Sequence, residues 1–344
     1  MTKTKKLRVM MLVHSYLVPP DDLVDEEDPR MEKFRTEFDV RNALQSLGHE
    51  VCMVPVADEI APVRRAIEEW KPDIAYNMLE AFGENAAHDY YVVSYLDMLK
   101  IPYTGCNPRG LLLSRDKALS KKILAYHRIN VPKFKVFPWG KTLRSDRLRG
   151  LPYPMVVKSL IEQGSVGIAQ SSYVSSAEEL VERVIQVQEM TGGDAIAEQY
   201  IDGRELYVTV IGNERLEVLP IREIVFGKEE EAAPRIATYK VKWDLKYRER
   251  HGIDYVFARN LPAGMAEYIA RLAKRIYRIL DLSGYARTDL RLGKDGKVYV
   301  LEANPNAAIA YNEDVAFSAE KAGMSYEQLI QRVLNLGLRA ARKG

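Results

Sequence analysis

The sequence predicts a mixed α/β and α+β fold, on three observations. Apolar strand-like runs at residues 7–13, 51–54 and 73–78 alternate with helical stretches at 30–47 and 60–70, the rhythm of a parallel sheet covered by helices. Beyond them, strand pairs joined by tight turns recur, at 206–211 with 215–220 and at 285–292 with 297–303, which points to antiparallel sheets. The 344 residues are 47% hydrophobic and 28% charged, an ordinary globular composition that allows two or three sub-domains.

Charge and cysteine usage exclude several classes. A formal net charge of +2 is too balanced to argue for nucleic acid or an anionic membrane as partner. The basic start, Lys3, Lys5, Lys6 and Arg8, precedes an apolar run too short for a signal-peptide core or a membrane span. Cys52 and Cys106 lack metal-ligand spacing, and the scattered His14, His49, His88, His127 and His251 form no zinc pair. Two unpaired thiols in a reducing cytoplasm are expected.

Taken in order, the strand at 7–13 leads into an acidic loop holding Asp21, Asp22, Asp25, Glu26, Glu27 and Asp28, read as solvated. Helix 30–47 carries Phe34, Phe38, Val40, Ala43 and Leu44 and ends at Gly48. Helix 60–70 stops at Lys71 and Pro72. Strand 73–78 runs into a glycine-containing loop with Glu80 and Glu84. Its carboxyl-end position is where open α/β sheets bind ligands, so both are candidate site residues. Helix 88–99 and a strand and turn at 101–105 close the first domain.

Helix 114–126, with Arg115, Asp116, Lys117, Lys121 and Lys122, reads as a charged helix face. After a strand at 134–137 and a polar linker at 140–150, strand 153–158 ends on Lys158. The loop Gln163-Gly164-Ser165-Val166-Gly167 follows, rich in backbone N–H donors. A lysine with such a loop can hold phosphate, although the spacing is not that of the P-loop. Ser176 is the expected N-cap of helix 176–188, with Glu179 three positions on. Strand 195–201 comes next. The charged segment 226–253, with Lys240, Lys242, Trp243, Lys246 and Tyr247, reads as a mobile lid or a wet insertion. Helix 263–280 shows an apolar stripe, and helix 325–342 ends in basic residues that suit its dipole.

The hairpin at 284–304 carries the densest chemistry. Parity in antiparallel strands can gather Asp289, Glu302 and Asn304 on one side with Arg287 beside them. Two carboxylates and an amide oxygen are hard ligands of the kind Mg²⁺ accepts when phosphates complete its shell. Arg287 keeps its proton and suits an oxyanion.

These pieces, in this order, resemble the ATP-grasp ligases, and most closely the D-alanine–D-alanine ligase family. The resembling segments include P-D-I-A-Y-N at 72–77, I-P-Y-T-G at 101–105, S-R-D-K at 114–117, Y-P-M-V-V-K at 153–158 and G-S-V-G at 164–167. They continue with A-E-Q-Y-I-D-G-R-E-L at 197–206, L-P-I-R-E-I at 219–224, G-Y-A-R-T-D at 284–289, L-E-A-N at 301–304 and A-G-M-S-Y-E-Q-L at 322–329. The resemblance implies an ATP-grasp fold with an N-terminal parallel α/β domain at 1–108 and two α+β domains, 109–198 and 199–344, that clamp ATP. It implies an ATP-dependent carboxylate–amine ligase that works through an acyl phosphate. The substrates would be small-molecule carboxylates and amines, amino acids or a dipeptide, with no nucleic acid or membrane partner, acting as a cytoplasmic homodimer. A small-molecule kinase or a non-ligase ATP-binding regulatory protein is the alternative. By position, Lys117 and Lys158 would contact phosphates under the loop that includes Gln163, Gly164 and Ser165. Glu198, Gln199, Tyr200 and Ile201 would line the adenine pocket, and Glu205 would hold the ribose. Lys242 would reach a phosphate, with Lys240 a competing assignment. Asp289, Glu302 and Asn304 would bind two Mg²⁺, with Mn²⁺ as a substitute, and Arg287 would stabilise the acyl centre.

The sequence departs from the family at the substrate end. After L-E-A-N it continues Pro305-Asn306-Ala307-Ala308, so alanine stands where the family has the glycine of its oxyanion hole. Gly164 replaces a serine, Trp243 replaces the tyrosine after the lid lysine, and the family's N-terminal glycine-rich signature is absent. Leu79-Glu80-Ala81 stands in place of L-H-G. Glu80 and Glu313 are expected to add negative charge to a rebuilt substrate pocket that also includes Glu84 and Ala308, favouring a substrate with an extra ammonium group.

Overall fold

The computed structural model describes residues 5–23, 28–143, 148–165, 167–227 and 234–342. Asp25, Glu26 and Glu27 of the acidic loop, Val166 of the glycine loop and part of segment 226–253 lie outside the described residues.

The chain opens with β1 (Arg8–His14), α1 (Met31–Ser46), β2 (Glu50–Val56), α2 (Ala61–Arg65), β3 (Ile74–Asn77) and α3 (Asp89–Met98). The three strands form a parallel sheet in the order β2-β1-β3. The centre of β1 is continuously apolar because both its faces are covered. Val9, Met11 and Val13 pack with Val40 and Leu44 of α1, while Met10 and Leu12 pack with Val54, Val56 and Leu96 on the other side. The strand expected at 101–105 is reduced to one parallel bridge between Tyr103 and Ala75.

The single helix expected at 114–126 is two helices, α4 (Pro108–Arg115) and α5 (Lys117–Tyr126). Asp116 separates them. Its backbone is extended, at φ −80° and ψ 106°, and its carboxylate accepts the N–H groups of Ala118 and Leu119 as the N-cap of α5.

An antiparallel sheet follows, built from β4 (Phe134–Phe137), β5 (Met155–Ser159), β6 (Tyr173–Val174) and β7 (Ala195–Gln199) in the order β4-β7-β5-β6. α6 (Ala177–Thr191) covers one face through Leu180, Val184 and Val187 against Met155, Val157 and Ala195. Strand alternation therefore sends Lys158 and Glu198 to the other face. Ser176 caps α6 as expected, accepting the Glu179 N–H at 3.2 Å, but the Glu179 carboxylate accepts the Ser175 N–H at 2.7 Å instead of closing a box on Ser176.

The remaining elements are β8 (Gly203–Ile211), β9 (Glu217–Val218), β10 (Arg222–Val225), α7 (Tyr239–Trp243), α8 (Leu245–His251), β11 (Asp254–Phe257), α9 (Met265–Ile279), β12 (Tyr285–Gly293), β13 (Val298–Pro305), α10 (Asp314–Lys321) and α11 (Tyr326–Ala341). The strands form a sheet in the order β11-β10-β8-β12-β13, with β9 on β8. The segment expected to be a lid or wet insertion is, in its described part, a packed subunit of this sheet. Ala237, Val241 and Ile253 are buried with Tyr207 and Ile224. α11 returns to the first sheet, where Leu329, Ile330, Val333 and Leu334 join Val9 and Leu44 in one core. Two motif glycines fix the approach between the first and third sheets. A Cβ on Gly284, at φ +69°, would stand 2.5 Å from the Gly105 carbonyl oxygen.

The organising hairpin contains a detail that parity alone does not give. Val298, Val300, Glu302 and Asn304 have the same parity, yet Val298 and Val300 lie in the core under α9 with Leu272 and Ile276. Glu302 and Asn304 pair across from Asp289 and Arg287. The register shifts between Asp289 and Leu290, so that Leu290 faces Val300 and Leu301 is left as the extra residue of a bulge. A regular strand that kept Leu301 in the ladder would turn Glu302 and Asn304 into the apolar core. Unpartnered polar groups there cost about 1–3 kcal/mol each. Deleting Leu301 lets Glu302 follow Val300 with both faces unchanged but removes the carbonyl that accepts from Lys121; it is expected to cost about 1–3 kcal/mol in urea titration, and an unchanged midpoint would show that acceptor to be dispensable.

Candidate functional site

One pocket between the second and third sheets is lined by Lys158, Ser165, Glu198, Gln199, Tyr200, Ile201, Glu205, Lys242, Asp289 and Glu302. The second sheet supplies Lys158 from β5 and Glu198 from β7, on the face away from α6. The third supplies Glu205 from β8 and Asp289 from β12, on the face away from α9. Register explains the cluster: Arg291 lies opposite Glu205, Asp289 opposite Tyr207 and Glu302, and Arg287 opposite Asn304. Of the two lysines left open by the sequence, Lys242 lines this pocket, whereas Lys240 is exposed.

Buried ion pairs hold the walls. Glu198 binds Lys121 at 2.9 Å and Lys158 at 3.2 Å. Lys121 also donates to the Leu301 carbonyl, and Lys117 donates to the Glu162 carbonyl. The charged helix face expected over 114–126 is thus corrected for these two residues. Lys117 and Lys121, four apart on α5, are 4% and 1% exposed and share an inward stripe. Glu205 accepts from Arg291 at 2.7 Å and from the Tyr207 hydroxyl at 2.8 Å. Arg287 grips both oxygens of Asp289, at 2.7 and 3.0 Å, and reaches Asp314 at 3.4 Å. Arg222 holds the other Asp314 oxygen at 3.1 Å.

The electrostatics are uneven. Burial pushes the Lys117 ammonium down to about 8, with Glu302 pulling the other way. Burial also opposes the charge on Lys158, but Glu198 and Glu302 outweigh it and raise that group. For Glu302, burial is outweighed by Lys158, Lys117, Lys242 and Lys121, which hold its carboxyl well below the usual range. Burial raises Asp289, against the pull of Arg287 and with the help of Glu302. Among the described residues no three His, Cys, Asp or Glu side chains converge on one point. The oxygen set is two carboxylates, Asp289 and Glu302, with Asn304 standing 3.5 Å from Glu302. That donor set fits Mg²⁺ held by one or two carboxylates with the rest of its shell supplied by phosphates and water.

A second, larger cavity of about 1100 Å³ adjoins this pocket at the glycine loop and is lined by Gln163, Gly164, Glu80, Glu84, Ala308 and Glu313. Three residues that sequence reasoning passed over also line it: His14 and Asn77, at the carboxyl ends of β1 and β3, and Glu37 on α1. Burial and the nearby Glu80 push the Glu37 carboxyl up to about 7. Arg291 was likewise missed as a pocket residue, and Lys121 as the buried partner of Glu198. The four-residue spacing from Lys117 was the one available signal for Lys121, since Glu198 and Glu205 lie far off in the chain.

Two outcomes test these electrostatics. Glu198→Gln takes from the buried Lys121 and Lys158 the carboxylate they pair with, leaving Glu302 as the nearby negative charge, and is expected to cost about 3 kcal/mol in denaturant unfolding, whereas an unchanged midpoint would show the pairs to be dispensable. For Glu37, the unfolded chain releases its proton near 4.5 while the folded chain keeps it to about 7. Stability therefore falls as pH rises through that window. Glu37→Gln is expected to remove this slope and to be more stable than wild type by roughly 2–3 kcal/mol above pH 7. Parallel pH slopes for the two proteins would contradict it.

The family model described as D-ala D-ala ligase C-terminus matches residues 123–335. A D-alanine–D-alanine ligase of Desulforudis audaxviator is 30% identical over 299 residues, covering 86% of this chain and 90% of its own. The uncharacterized protein y4sG of Sinorhizobium fredii is 29% identical over 305 residues, covering 86% and 85%. The crystal structure of D-alanine–D-alanine ligase from Bacillus anthracis superimposes with a TM-score of 0.74 at 25% identity, covering 99% of both chains. A clamp of two antiparallel sheets behind a parallel one, with this sequence similarity along most of its length, places the chain in the D-alanine–D-alanine ligase family of ATP-grasp proteins.

Proposed function

We propose that the chain joins a carboxylate to an amine by way of an acyl phosphate, using the pocket between the second and third sheets for ATP and the adjoining cavity for its substrates. It is a D-alanine–D-alanine ligase-like, ATP-dependent, carbon–nitrogen bond-forming ligase. The observation that carries the reading is the meeting of Asp289 and Glu302, paired across the hairpin, with Lys158 and Lys242 in one pocket. Hard oxygen donors and ammonium groups together are what a magnesium–triphosphate needs.

In this reading the residues divide as follows. Residues 1–108 form the first domain, and 109–198 and 199–344 the two halves of the clamp. Lys117 and Lys158 neutralise phosphates, and Gln163, Gly164 and Ser165 close over them. Glu198, Gln199, Tyr200 and Ile201 border the adenine, and Glu205, already oriented by Arg291 and Tyr207, takes the ribose hydroxyls. Lys242 reaches the phosphate that moves. Asp289, Glu302 and Asn304 hold two Mg²⁺, or Mn²⁺ in its place; when bound, the metal offsets the negative charge that builds on the transferring phosphoryl group. A carboxylate oxygen of the donor takes the γ-phosphoryl, releasing ADP. The amine lone pair then attacks the acyl carbon, the bond to the phosphate oxygen breaks, and the amine gives up one proton. Arg287, fixed by Asp289 and Asp314, stands ready for the oxyanion of that step. Amino-acid substrates, cytoplasmic action and a homodimer are inferred from the family by analogy.

ADP release measured across amino-acid pairs, with mass detection of products, tests the reading. An amide and phosphate are expected. A phosphorylated product without an amide would make the chain a kinase, and ADP with neither product would make it an ATPase. Asp289→Asn and Lys242→Ala are each expected to lower kcat about 100-fold or more, with Lys240→Ala close to wild type.

A further inference from the structure

The substrate cavity carries more negative charge than its cations balance. Seven carboxylates line it against Lys33 and Arg115. Arg115 is already paired with the buried Asp89 and also donates to the Glu80 carbonyl. Lys33 is exposed and lies over the Phe34 ring. Burial raises the Glu80 carboxyl in spite of Arg115, and burial and Asp314 raise Glu313 in spite of Arg287 and Lys242, so neither acid is fully answered by a cation. Burial raises the Tyr16 hydroxyl, and Glu80, Glu37 and Glu84 add to that.

A second observation, independent of the carboxylates, points to a ligand. Asn77 and His14 are 3% and 5% exposed, line the cavity, and leave Asn77 Nδ2 and His14 Nε2 without a hydrogen-bond partner. The Asn77 carbonyl oxygen accepts the Leu79 N–H at 3.2 Å, which fixes the amide orientation and commits its NH₂ to the cavity. A buried donor left without an acceptor costs about 1–3 kcal/mol. An acceptor brought by the ligand removes that cost, and the common small acceptor is a carboxylate. The cavity thus offers one place for a carboxylate and separate anionic places for cations.

We propose that one of the two substrates is a diamino acid, its carboxylate meeting Asn77 and His14 and its second ammonium group answering the Glu37, Glu80 and Glu84 cluster or Glu313. The proposal rests on the ligase reading and narrows its substrate class. A cavity of about 1100 Å³ is at the upper end of the size of small-molecule sites, so a long cationic side chain has room.

The test uses the full chain with Mg–ATP and compares lysine and ornithine with norleucine and alanine, both enantiomers of each, by ADP release and mass detection. Lysine or ornithine is expected to be used at least about tenfold better in kcat/KM than norleucine, which has the same carbon length without the charge. Glu80→Gln and Glu313→Gln are the paired variants. At least one should cut the ratio of lysine to norleucine kcat/KM about tenfold, a change of preference that a merely structural defect, which lowers both alike, would not produce. Amide formation with norleucine or alanine equal to or better than with the diamino acids overturns the proposal and leaves the ligase reading standing. If no pair of substrates yields an amide, the ligase reading fails, and calorimetric titration decides the cavity separately. Lysine binding in preference to norleucine, lost in Glu80→Gln or Glu313→Gln, supports the proposal; equal or absent binding overturns it.

Discussion

The bulge at Leu301 is the constraint on which the rest of the structure depends. β13 must cover the α9 core with Val298 and Val300 and, two residues later, offer Glu302 and Asn304 to the opposite face. An uninterrupted strand cannot do both, because its side-chain period is two. One added residue inverts the parity within β13 and lets a single strand serve first the core and then the site. Strand β12 needs no such device: Arg287, Asp289 and Arg291 alternate with Ala286, Leu290 and Leu292 without interruption.

Around that hairpin, charges are balanced inside the protein before any nucleotide arrives. Glu198 serves Lys121 and Lys158 together, and Glu205 serves Arg291. Lys117 donates to the Glu162 carbonyl, and burial pushes its ammonium down to about 8. Desolvating so many ions is costly, and their mutual attraction repays that only with good geometry. The paired, low-exposure arrangement seen here meets that condition, and it leaves the walls of the pocket oriented in advance of binding.

Much of this was legible in the sequence, for physical reasons that differ by region. The first sheet could be read because β1 is buried on both faces and so is apolar throughout its centre. The hairpin could be read because its turn residues and alternating charges are local. Asp116 was misplaced inside a helix because an aspartate in a lysine-rich run looks like surface until its extended backbone is seen. Lys121 and Arg291 looked like surface charges for a related reason: their partners Glu198 and Glu205 come from other strands, and no local pattern announces such pairs. Glu37 gave no signal at all, since one glutamate on an amphipathic helix is ordinary until Glu80 and the cavity wall are placed beside it. The packing of segment 226–253 was hidden by its charge; among its described residues Ile236, Ala237, Thr238, Val241 and Ile253 are buried.

The extra residue of a bulge leaves a main-chain group outside the ladder, and here the carbonyl of Leu301 accepts from Lys121, a side chain of the helix that packs under the second sheet through Ala118 and Ile196. The two halves of the clamp meet at that contact, and again where Ser165 donates to the Ala237 carbonyl and Trp243 to the Gly164 carbonyl. Drawing the halves apart would strand an ammonium and a carbonyl at the first of these contacts. The strand that faces the metal is thereby tied through Lys121 to the helix beneath the second sheet.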